Sequence, residues 1–144
     1  MARLRGRVGG GLVLDAEGIV KFADGDPRTL ERLRYAWRRN GYVITAASAL
    51  AEVLRGGPRD AKVHRVLSRV TVVPIDKALG RAAGELLGRA RLSGHRCTID
   101  ALLAAVALGL PRPVVLLTSD PDDLARLTEE PGRARAERIA VVRV

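Results

Sequence analysis

The chain has one cysteine, few aromatic residues and no long apolar run, and each scarcity excludes a class of protein. Because Cys97 is the single cysteine among 144 residues, no disulfide can form within the chain. Neither Cys97 nor the scattered His64 and His95 has the spacing of a zinc site. No apolar stretch approaches the ~20 residues that span a membrane. These absences predict a soluble protein of a reducing compartment, the cytoplasm, with no membrane partner.

Lysine is also scarce, although the chain is strongly basic. Arginine and lysine total 25 against 16 aspartates and glutamates, a formal net charge of +9, and the lysines are Lys21, Lys62 and Lys77. The planar guanidinium of arginine suits phosphate oxygens, so the excess predicts attraction to nucleic acid or to an acidic protein. For any single arginine, a solvated surface position is an equally good explanation. The few aromatic residues form no stacking motif, so base stacking is not expected to be the main contact.

Short apolar runs alternate with segments of helical periodicity along the chain. The runs predict strands at 12–14, 42–45, 70–73, 114–117 and 139–144. The segments between them predict helices at 16–23, 28–40, 48–56, 60–69, 76–90, 98–108 and from 120 onward. Strands without polar alternation that are separated by helices indicate parallel crossovers covered on both faces.

The predicted fold is therefore a single α/β domain over residues 1–144, a three-layer α/β/α sandwich with a mainly parallel central sheet. Residues 1–10 are expected to form a flexible basic N-terminus, and the three glycines at 9–11 a flexible lead-in to the first strand. Residues 128–137 are expected to form a mobile surface loop. The chain contains no internal repeat and no low-complexity linker.

Four acidic residues share a position relative to these elements. Asp15 and Asp120 follow the first and fourth strands, and Glu52 and Asp100 lie in the first turns of two helices. Sites in open parallel sheets collect at the carboxyl ends of the strands. If the two strands are neighbours, their backbones are ~4.8 Å apart, and side chains leaving their ends could bind one ion. Mg²⁺ prefers such oxygen ligands, and without a cation two charges ~4 Å apart repel by ~4 kcal/mol at an effective dielectric of ~20.

Helix capping is a competing explanation for some of these acids. Asp120 precedes a proline and two more acids, which is a favourable helix start, and for Asp122 and Asp123 capping is the better explanation. Asp100 stands two residues after Thr98, a candidate cap, so capping and chemistry are evenly balanced there.

Capping explains Glu52 and Asp15 less well. With Ser48 as the cap of its helix, a capping box would require the acid at position 51, which is alanine. Asp15 has no evident helix to cap unless the chain turns at once, and a buried strand end is a costly place for a charge. The joint placement of the four acids is therefore stronger evidence for a metal site than any single residue.

The four acids stand in short segments that follow one another in a recognisable order. These are Leu-Val-Leu-Asp15, Ser-Ala-Leu-Ala-Glu52-Val-Leu-Arg, Thr-Ile-Asp100-Ala-Leu-Leu-Ala-Ala and Leu-Leu-Thr-Ser-Asp120-Pro-Asp-Asp-Leu. Together they resemble the successive signatures of PIN domains, specifically the VapC-like toxins. The resemblance implies a PIN fold, RNA cleavage dependent on Mg²⁺ or Mn²⁺, a homodimer, and inhibition by a cognate antitoxin protein.

The resemblance also assigns roles to individual residues. Asp15, Glu52, Asp100 and Asp120 match the acidic positions that are catalytic and bind metal in the family, with Asp123 as a candidate helper. Some relatives carry a further acid just before the third motif, where this chain has His-Arg-Cys at 95–97. That departure leaves open whether one metal ion or two are bound.

The predicted function is hydrolysis of RNA phosphodiester bonds by a Mg²⁺-dependent endoribonuclease, the toxin of a type II toxin-antitoxin pair. Asp15, Asp100 and Asp120 would hold one or two ions, and Glu52 would complete the shell or orient the attacking water. An antitoxin could insert an arginine among these acids, because a guanidinium pairs strongly with carboxylates.

Two alternatives remain at this point. A PIN-like module that binds RNA without cutting it would keep the basic helices at 28–39 and 60–69, which can guide RNA, but would not need all four acids. A haloacid-dehalogenase-type phosphatase also has an aspartate after its first strand. Such an enzyme normally has a second aspartate two residues later, and this chain has Glu17 there.

Overall fold

A computed structural model describes residues 9–144, so most of the predicted basic N-terminus, residues 1–8, lies outside the described residues. The strands are β1 (Gly11–Leu14), β2 (Tyr42–Ala46), β3 (Thr71–Val73), β4 (Val114–Thr118) and β5 (Ala140–Arg143). The helices are α1 (Ala16–Ala23), α2 (Pro27–Arg38), α3 (Ala47–Val53), α4 (Ala61–Leu67), α5 (Lys77–Ala90), α6 (Gly94–Leu108) and α7 (Pro121–Leu127). Two single 3₁₀ turns lie at Pro58–Asp60 and Arg135–Glu137.

All five strands form one parallel sheet in the order β3-β2-β1-β4-β5. In β1 the side chains alternate between two cores, since Val13 packs with α5, α6 and α7 while Leu12 and Leu14 pack with α1 to α4. Every residue of β1 and β2 is buried, which explains why their sequences show no polar alternation. The predicted three-layer α/β/α sandwich is therefore confirmed.

Helix α6 anchors the layer that carries Asp100. Its residues from Leu103 to Ala107 are all buried, and the helix packs most extensively against α5. Full burial of one leucine side chain contributes roughly 1.5–3 kcal/mol, so this apolar segment fixes the helix firmly against the sheet. Asp100 lies in the middle of α6, six residues after its first residue, and is held in place by that packing. No helix within residues 9–144 is long and apolar enough to cross a membrane.

The glycines at 10 and 11 are not a flexible lead-in. Gly10 is buried with φ of 81°, a conformation that favours glycine, and Gly11 is already paired in β1. A side chain on Gly11 would collide with the ring of Tyr42, because Tyr42 is paired with Gly11 in the neighbouring strand β2. The prediction of flexibility was wrong there, since close packing and backbone conformation also require glycine.

Two helix starts differ from the prediction. Helix α3 begins at Ala47 with Ala46 at the N-cap position, so Ser48 lies inside the first turn and does not cap. Helix α6 begins four residues earlier than expected, at Gly94, because the chain stays helical on both sides of a kink at Cys97. The segment 128–137 is largely exposed, as predicted, apart from the buried Thr128, and its mobility stays a prediction. Glu130 of this segment forms an ion pair with Arg112 at 2.7 Å.

Candidate active site

The strand order brings the ends of β1 and β4 together. Leu14 is paired with Leu117 in the sheet, so Asp15 and Asp120 leave the same edge although they are far apart in sequence. A pocket of about 320 Å³ lies at this edge, and its lining includes all four predicted acids, namely Asp15, Glu52, Asp100 and Asp120. The four acids thus share one pocket, which we call the acidic pocket, while their catalytic roles stay predictions.

The Asp15 carboxylate connects three parts of the acidic pocket through hydrogen bonds. Its Oδ1 accepts a hydrogen bond of 2.7 Å from the Gly18 N–H, and its Oδ2 accepts one of 3.1 Å from the Ser119 N–H. Asp15 was expected to cap a helix only if the chain turned at once, and it does so, because α1 starts at the next residue and Asp15 is its N-cap. The carboxylate therefore joins β1, α1 and the loop after β4, at an expected gain of about 1 kcal/mol from the cap alone.

Asp120, unlike Asp15, does not cap the helix that follows it. It occupies the N-cap position of α7, yet its side chain makes no capping hydrogen bond. Its own N–H donates to the Thr118 hydroxyl at 3.0 Å, which fixes the backbone after β4. The capping explanation that the sequence suggested for Asp120 therefore fails, and its exposed carboxylate is available to a ligand in the acidic pocket.

Asp100 is the most perturbed acid of the site. Burial raises its pKa first, and the negative charges of Glu52, Asp123, Asp120 and Asp15 raise it further, to about 6. Burial and the charge of Asp15 likewise raise the pKa of Glu52. Asp100 and Glu52 thus resist ionisation, and a bound cation would relieve the part of this effect that comes from neighbouring negative charges.

Thr98, the candidate cap for Asp100, does not act as a cap. Its hydroxyl donates to the Gly94 carbonyl inside the helix instead. Capping by Thr98 therefore cannot account for an acid at position 100.

Asp123 lies beside the acidic pocket and does not line it. Its Oδ2 accepts a contact of 3.6 Å from the Cys97 thiol, which stands among the residues where some relatives carry an acid. Burial and the hydrogen bond to Asp123 raise the pKa of Cys97. Asp123 acts on the site through its charge, since it is one of the groups that raise the pKa of Asp100.

The side chains of the acidic pocket are of the types that bind a divalent cation, but they are not arranged as a coordination shell. In the positions they take within residues 9–144, no three Asp, Glu, His or Cys side chains are arranged to hold one ion. The available ligands are nevertheless carboxylate oxygens, which Mg²⁺ and Mn²⁺ prefer. The mutual repulsion around Asp100 and one unpaired hydroxyl also indicate that the residues suit a bound cation with its waters.

That hydroxyl belongs to Ser48, which the sequence analysis treated as a cap. Within the described part of the chain, Ser48 Oγ is the buried side-chain polar atom that lacks a hydrogen-bond partner, and the residue lines the acidic pocket. Ser48 lies four residues before Glu52, so both residues stand on one face of α3. That spacing is the sequence signal that could have identified Ser48. Glu17, which also lines the pocket, follows Asp15 by two residues and was considered only in relation to a phosphatase.

Replacing Ser48 by alanine is expected to stabilise the metal-free protein by about 1 kcal/mol, because a buried unpaired hydroxyl is removed from a helix that favours alanine. Denaturant unfolding in the presence of a chelator measures the change. Ser68→Ala is the matched control, since the Ser68 hydroxyl already donates to the Arg65 carbonyl at 2.6 Å and its removal should not stabilise the protein. Destabilisation by Ser48→Ala would mean that the hydroxyl has a partner in solution.

Three solved structures resemble this fold over nearly the whole chain, at low sequence identity. VapBC2 from Rickettsia felis, bound to a DNA fragment from its promoter, gives a TM-score of 0.63 at 14% identity, covering 92% of this chain and 98% of that chain. PAE2754 from Pyrobaculum aerophilum gives 0.55 at 16% identity, with coverages of 93% and 92%. FitAB bound to an IR36 DNA fragment gives 0.53 at 15% identity, with coverages of 92% and 94%. At such identities the likeness establishes the fold alone.

The sequence itself identifies the family. A comparison with curated proteins finds no match. The family profile described as "PIN domain" matches residues 12–130. This range includes β2, β3, β4, all of β1 except Gly11, and the four acids Asp15, Glu52, Asp100 and Asp120. PIN domains are in general nucleases. With a matching sheet, a matching profile and an acidic pocket at the carboxyl edge, this chain belongs to the PIN domain family.

Proposed function

We propose that this protein is a metal-dependent endoribonuclease and the toxin of a type II toxin-antitoxin pair. The observation that carries the proposal is the convergence of Asp15, Glu52, Asp100 and Asp120 on one pocket, where burial and the charges of the neighbouring acids raise the pKa of Asp100 to about 6. Such a set of carboxylates is unfavourable without a cation and suits phosphodiester hydrolysis with one. The strong excess of arginine supports RNA as the substrate.

In this proposal the chain's residues divide the work. Asp15, Asp100 and Asp120 hold Mg²⁺ or Mn²⁺, which when bound lowers the pKa of a water molecule and neutralises charge on the scissile phosphate. Asp15 is oriented for this role, because the N–H groups of Gly18 and Ser119 each donate to one of its oxygens. Glu52, whose pKa is raised, completes the shell or accepts a proton from the attacking water.

The Ser48 hydroxyl can donate to an oxygen ligand in the same pocket, because it has no partner of its own.

A cognate antitoxin and a second copy of the chain are the proposed protein partners, and both follow from the resemblance to VapC-like toxins. The electrostatics support the first, because an antitoxin arginine placed among the four carboxylates would gain charge-assisted hydrogen bonds. The cytoplasm is the proposed location, since a lone buried cysteine, Cys97, is compatible with a reducing compartment.

The purified protein is expected to cleave single-stranded RNA with Mg²⁺ or Mn²⁺ and to stop when a chelator removes the metal. Restoring the metal in excess should restore cleavage. Gel analysis of a labelled RNA measures the products, and circular dichroism of the chelated sample shows that the chain remains folded. Cleavage that persists in the chelator would contradict the proposed mechanism.

A PIN-like module that binds RNA without cutting it is the second candidate. It is favoured by the absence, within residues 9–144, of three side chains already arranged to hold an ion. The two candidates differ in what happens when Asp15 loses its charge, since only a nuclease then loses an activity. The phosphatase alternative has less support, because the chain belongs to the PIN family and position 17 is a glutamate.

A further inference from the structure

A second concavity lies at the edge of the sheet opposite the acidic pocket. It has a volume of about 840 Å³ and opens beside the amino ends of β1 and β4, with Gly9, Gly10, Leu12 and Val115 among its floor residues. Helix α2 and the residue after it form its wall. We call it the arginine groove and define it by the wall residues Arg28, Glu31, Arg32, Tyr35, Arg38 and Arg39.

The wall residues form a regular row. Arg28, Arg32, Tyr35 and Arg39 follow one another at intervals of four, three and four residues, which places them on one face of a helix. Eleven residues of α-helix rise by about 16 Å, so the row is as long as an extended segment of several nucleotides or amino acids. A small anion would occupy only part of the groove.

The cations of the arginine groove are largely uncompensated. Within residues 9–144 the two ion pairs both use Glu130, and Arg32 and Arg38 make neither an ion pair nor a hydrogen bond. Arg28 contributes a longer-range attraction to Asp26, and the Arg39 guanidinium stands 5.5 Å from the centre of the Tyr35 ring. Four arginines thus share a wall with one carboxylate, Glu31, and create a positive potential that suits a polyanion.

The groove has apolar surface at Pro113, Val115 and Tyr35, but no row of exposed aliphatic side chains among its described residues. Leu12 in the floor is 4% exposed and Ala36 in the wall is 9% exposed, so neither presents much area to a ligand. Tyr35, at 56% exposed, is the large hydrophobic residue that solvent reaches here. An amphipathic peptide needs a row of apolar anchor sites, whereas a nucleic acid needs cations and a flat ring on which a base can stack. The groove therefore favours a nucleic acid over an acidic protein segment.

We propose that the arginine groove binds the single-stranded RNA that flanks the segment entering the acidic pocket, an inference that rests on RNA being the ligand of the proposed function. Leu12 at the groove and Asp15 at the acidic pocket are three residues apart on the β1 path, about 10 Å at ~3.3 Å per residue. The carboxylates of the acidic pocket repel the RNA phosphates, whereas the guanidiniums of the arginine groove attract the phosphates of the flanking RNA. Substrate affinity then comes mainly from the groove, and cleavage from the acids.

The test measures binding of a fluorescein-labelled single-stranded RNA of about 12 nucleotides to the full chain by fluorescence anisotropy, in chelator so that no cleavage occurs. Arg32→Ala is expected to weaken binding about five-fold, and the double variant Arg28→Ala with Arg32→Ala about 25-fold. The double variant should also reduce the slope of log affinity against log salt by about 1.4, or ~0.7 for each lost phosphate contact.

Arg34→Ala is the matched control. Arg34 is an exposed arginine of the same helix that does not line the groove, so its removal changes the net charge equally. We expect less than a two-fold effect from it. Equal weakening by Arg32→Ala and Arg34→Ala would overturn the proposal, because binding would then follow net charge rather than the groove. Circular dichroism melts that coincide for all variants exclude misfolding as the cause.

Three further outcomes test the groove proposal against its alternatives. If Arg32→Ala leaves RNA binding unchanged but weakens binding of a labelled polyglutamate peptide, the groove is a protein site and the RNA proposal is wrong. If the wild type binds RNA through the groove but never cleaves it, the groove proposal stands and the nuclease proposal falls. If the wild type cleaves RNA and the groove variants bind it normally, the nuclease proposal stands and the groove proposal falls.

Discussion

Asp100→Asn is expected to lower the rate of RNA cleavage at least about 10³-fold and, at the same time, to stabilise the metal-free protein. The rate should fall because the variant loses a proposed metal ligand in the acidic pocket, and metal stabilisation of phosphoryl charge is worth several kcal/mol. The stability rises because a half-buried carboxyl group, surrounded by four like charges, becomes neutral. Cleavage assays at saturating Mg²⁺ and denaturant unfolding in chelator measure the two effects.

The same residue gives the metal-free protein a pH dependence of known sign. The pKa of Asp100 is raised from 3.8 to about 6 in the folded state, so the folded chain binds the proton more tightly than the unfolded chain. Its stabilising contribution is complete below about pH 4 and is lost as the pH rises through 6. For a half-buried group, screening by solvent reduces the contribution to about 1–2 kcal/mol. Asp100→Asn should abolish this component.

Asp122→Asn is the matched control for Asp100→Asn. Asp122 is an exposed acid in the first turn of α7, outside the acidic pocket, so its neutralisation should change neither the cleavage rate nor the pH dependence appreciably. If Asp100→Asn cleaves RNA at the wild-type rate, Asp100 is not a metal ligand. If it unfolds more easily than the wild type in chelator, the repulsion inferred around Asp100 is wrong.

Asp15→Asn and Asp15→Ala are expected to abolish cleavage equally, by about 10³-fold or more, and to differ in stability. Each oxygen of Asp15 accepts one backbone hydrogen bond, from Gly18 and from Ser119. Asparagine keeps one acceptor oxygen, so we expect a loss of about 0.5–1 kcal/mol, whereas alanine loses both bonds and about 1–2 kcal/mol. Thermal and denaturant unfolding separate the two variants.

RNA binding by Asp15→Asn decides between the two candidate functions. Removing one negative charge from the acidic pocket should leave RNA affinity unchanged or slightly higher, because the pocket repels phosphates. Loss of cleavage with retained binding supports a nuclease and argues against a module that only binds. Retained cleavage in Asp15→Asn would contradict the assignment of Asp15 as a metal ligand.

Much of the fold follows from local patterns. The uninterrupted apolar run from Val114 to Leu117 requires cover on both faces, and the helical periods between such runs supply that cover, so a parallel α/β/α sandwich is predictable. Element boundaries are less predictable where several residues suit a cap. The serine at 48 was assigned as a cap on residue type alone, but the backbone enters α3 at Ala46 and the serine becomes part of its first turn.

The acids of the site were predictable as candidates, because each was expected at a strand end or near a helix start. In the structure Glu52 instead stands near the end of α3, and Asp100 lies in the middle of α6. The sequence did not predict which of these carboxylates cap a helix and which are free to bind a ligand. Asp15 caps α1 and Asp120 does not cap α7, the reverse of what the sequence favoured, since the direction in which the chain leaves each strand decides which carboxylate meets a free N–H. The pKa of Asp100 depends on acids that are distant in sequence.

The sequence by itself determined the covered parallel sheet, the excess of arginine and the four acids, because these depend on residue type and local spacing. The tertiary structure alone decided that β1 lies beside β4, so that the Asp15 carboxylate reaches the Ser119 N–H across 104 positions of sequence. It also decided that Ser48 Oγ is buried without a partner and that the α2 arginines face a groove at the opposite edge. Strand pairing and burial are properties of long-range packing, which no local period encodes.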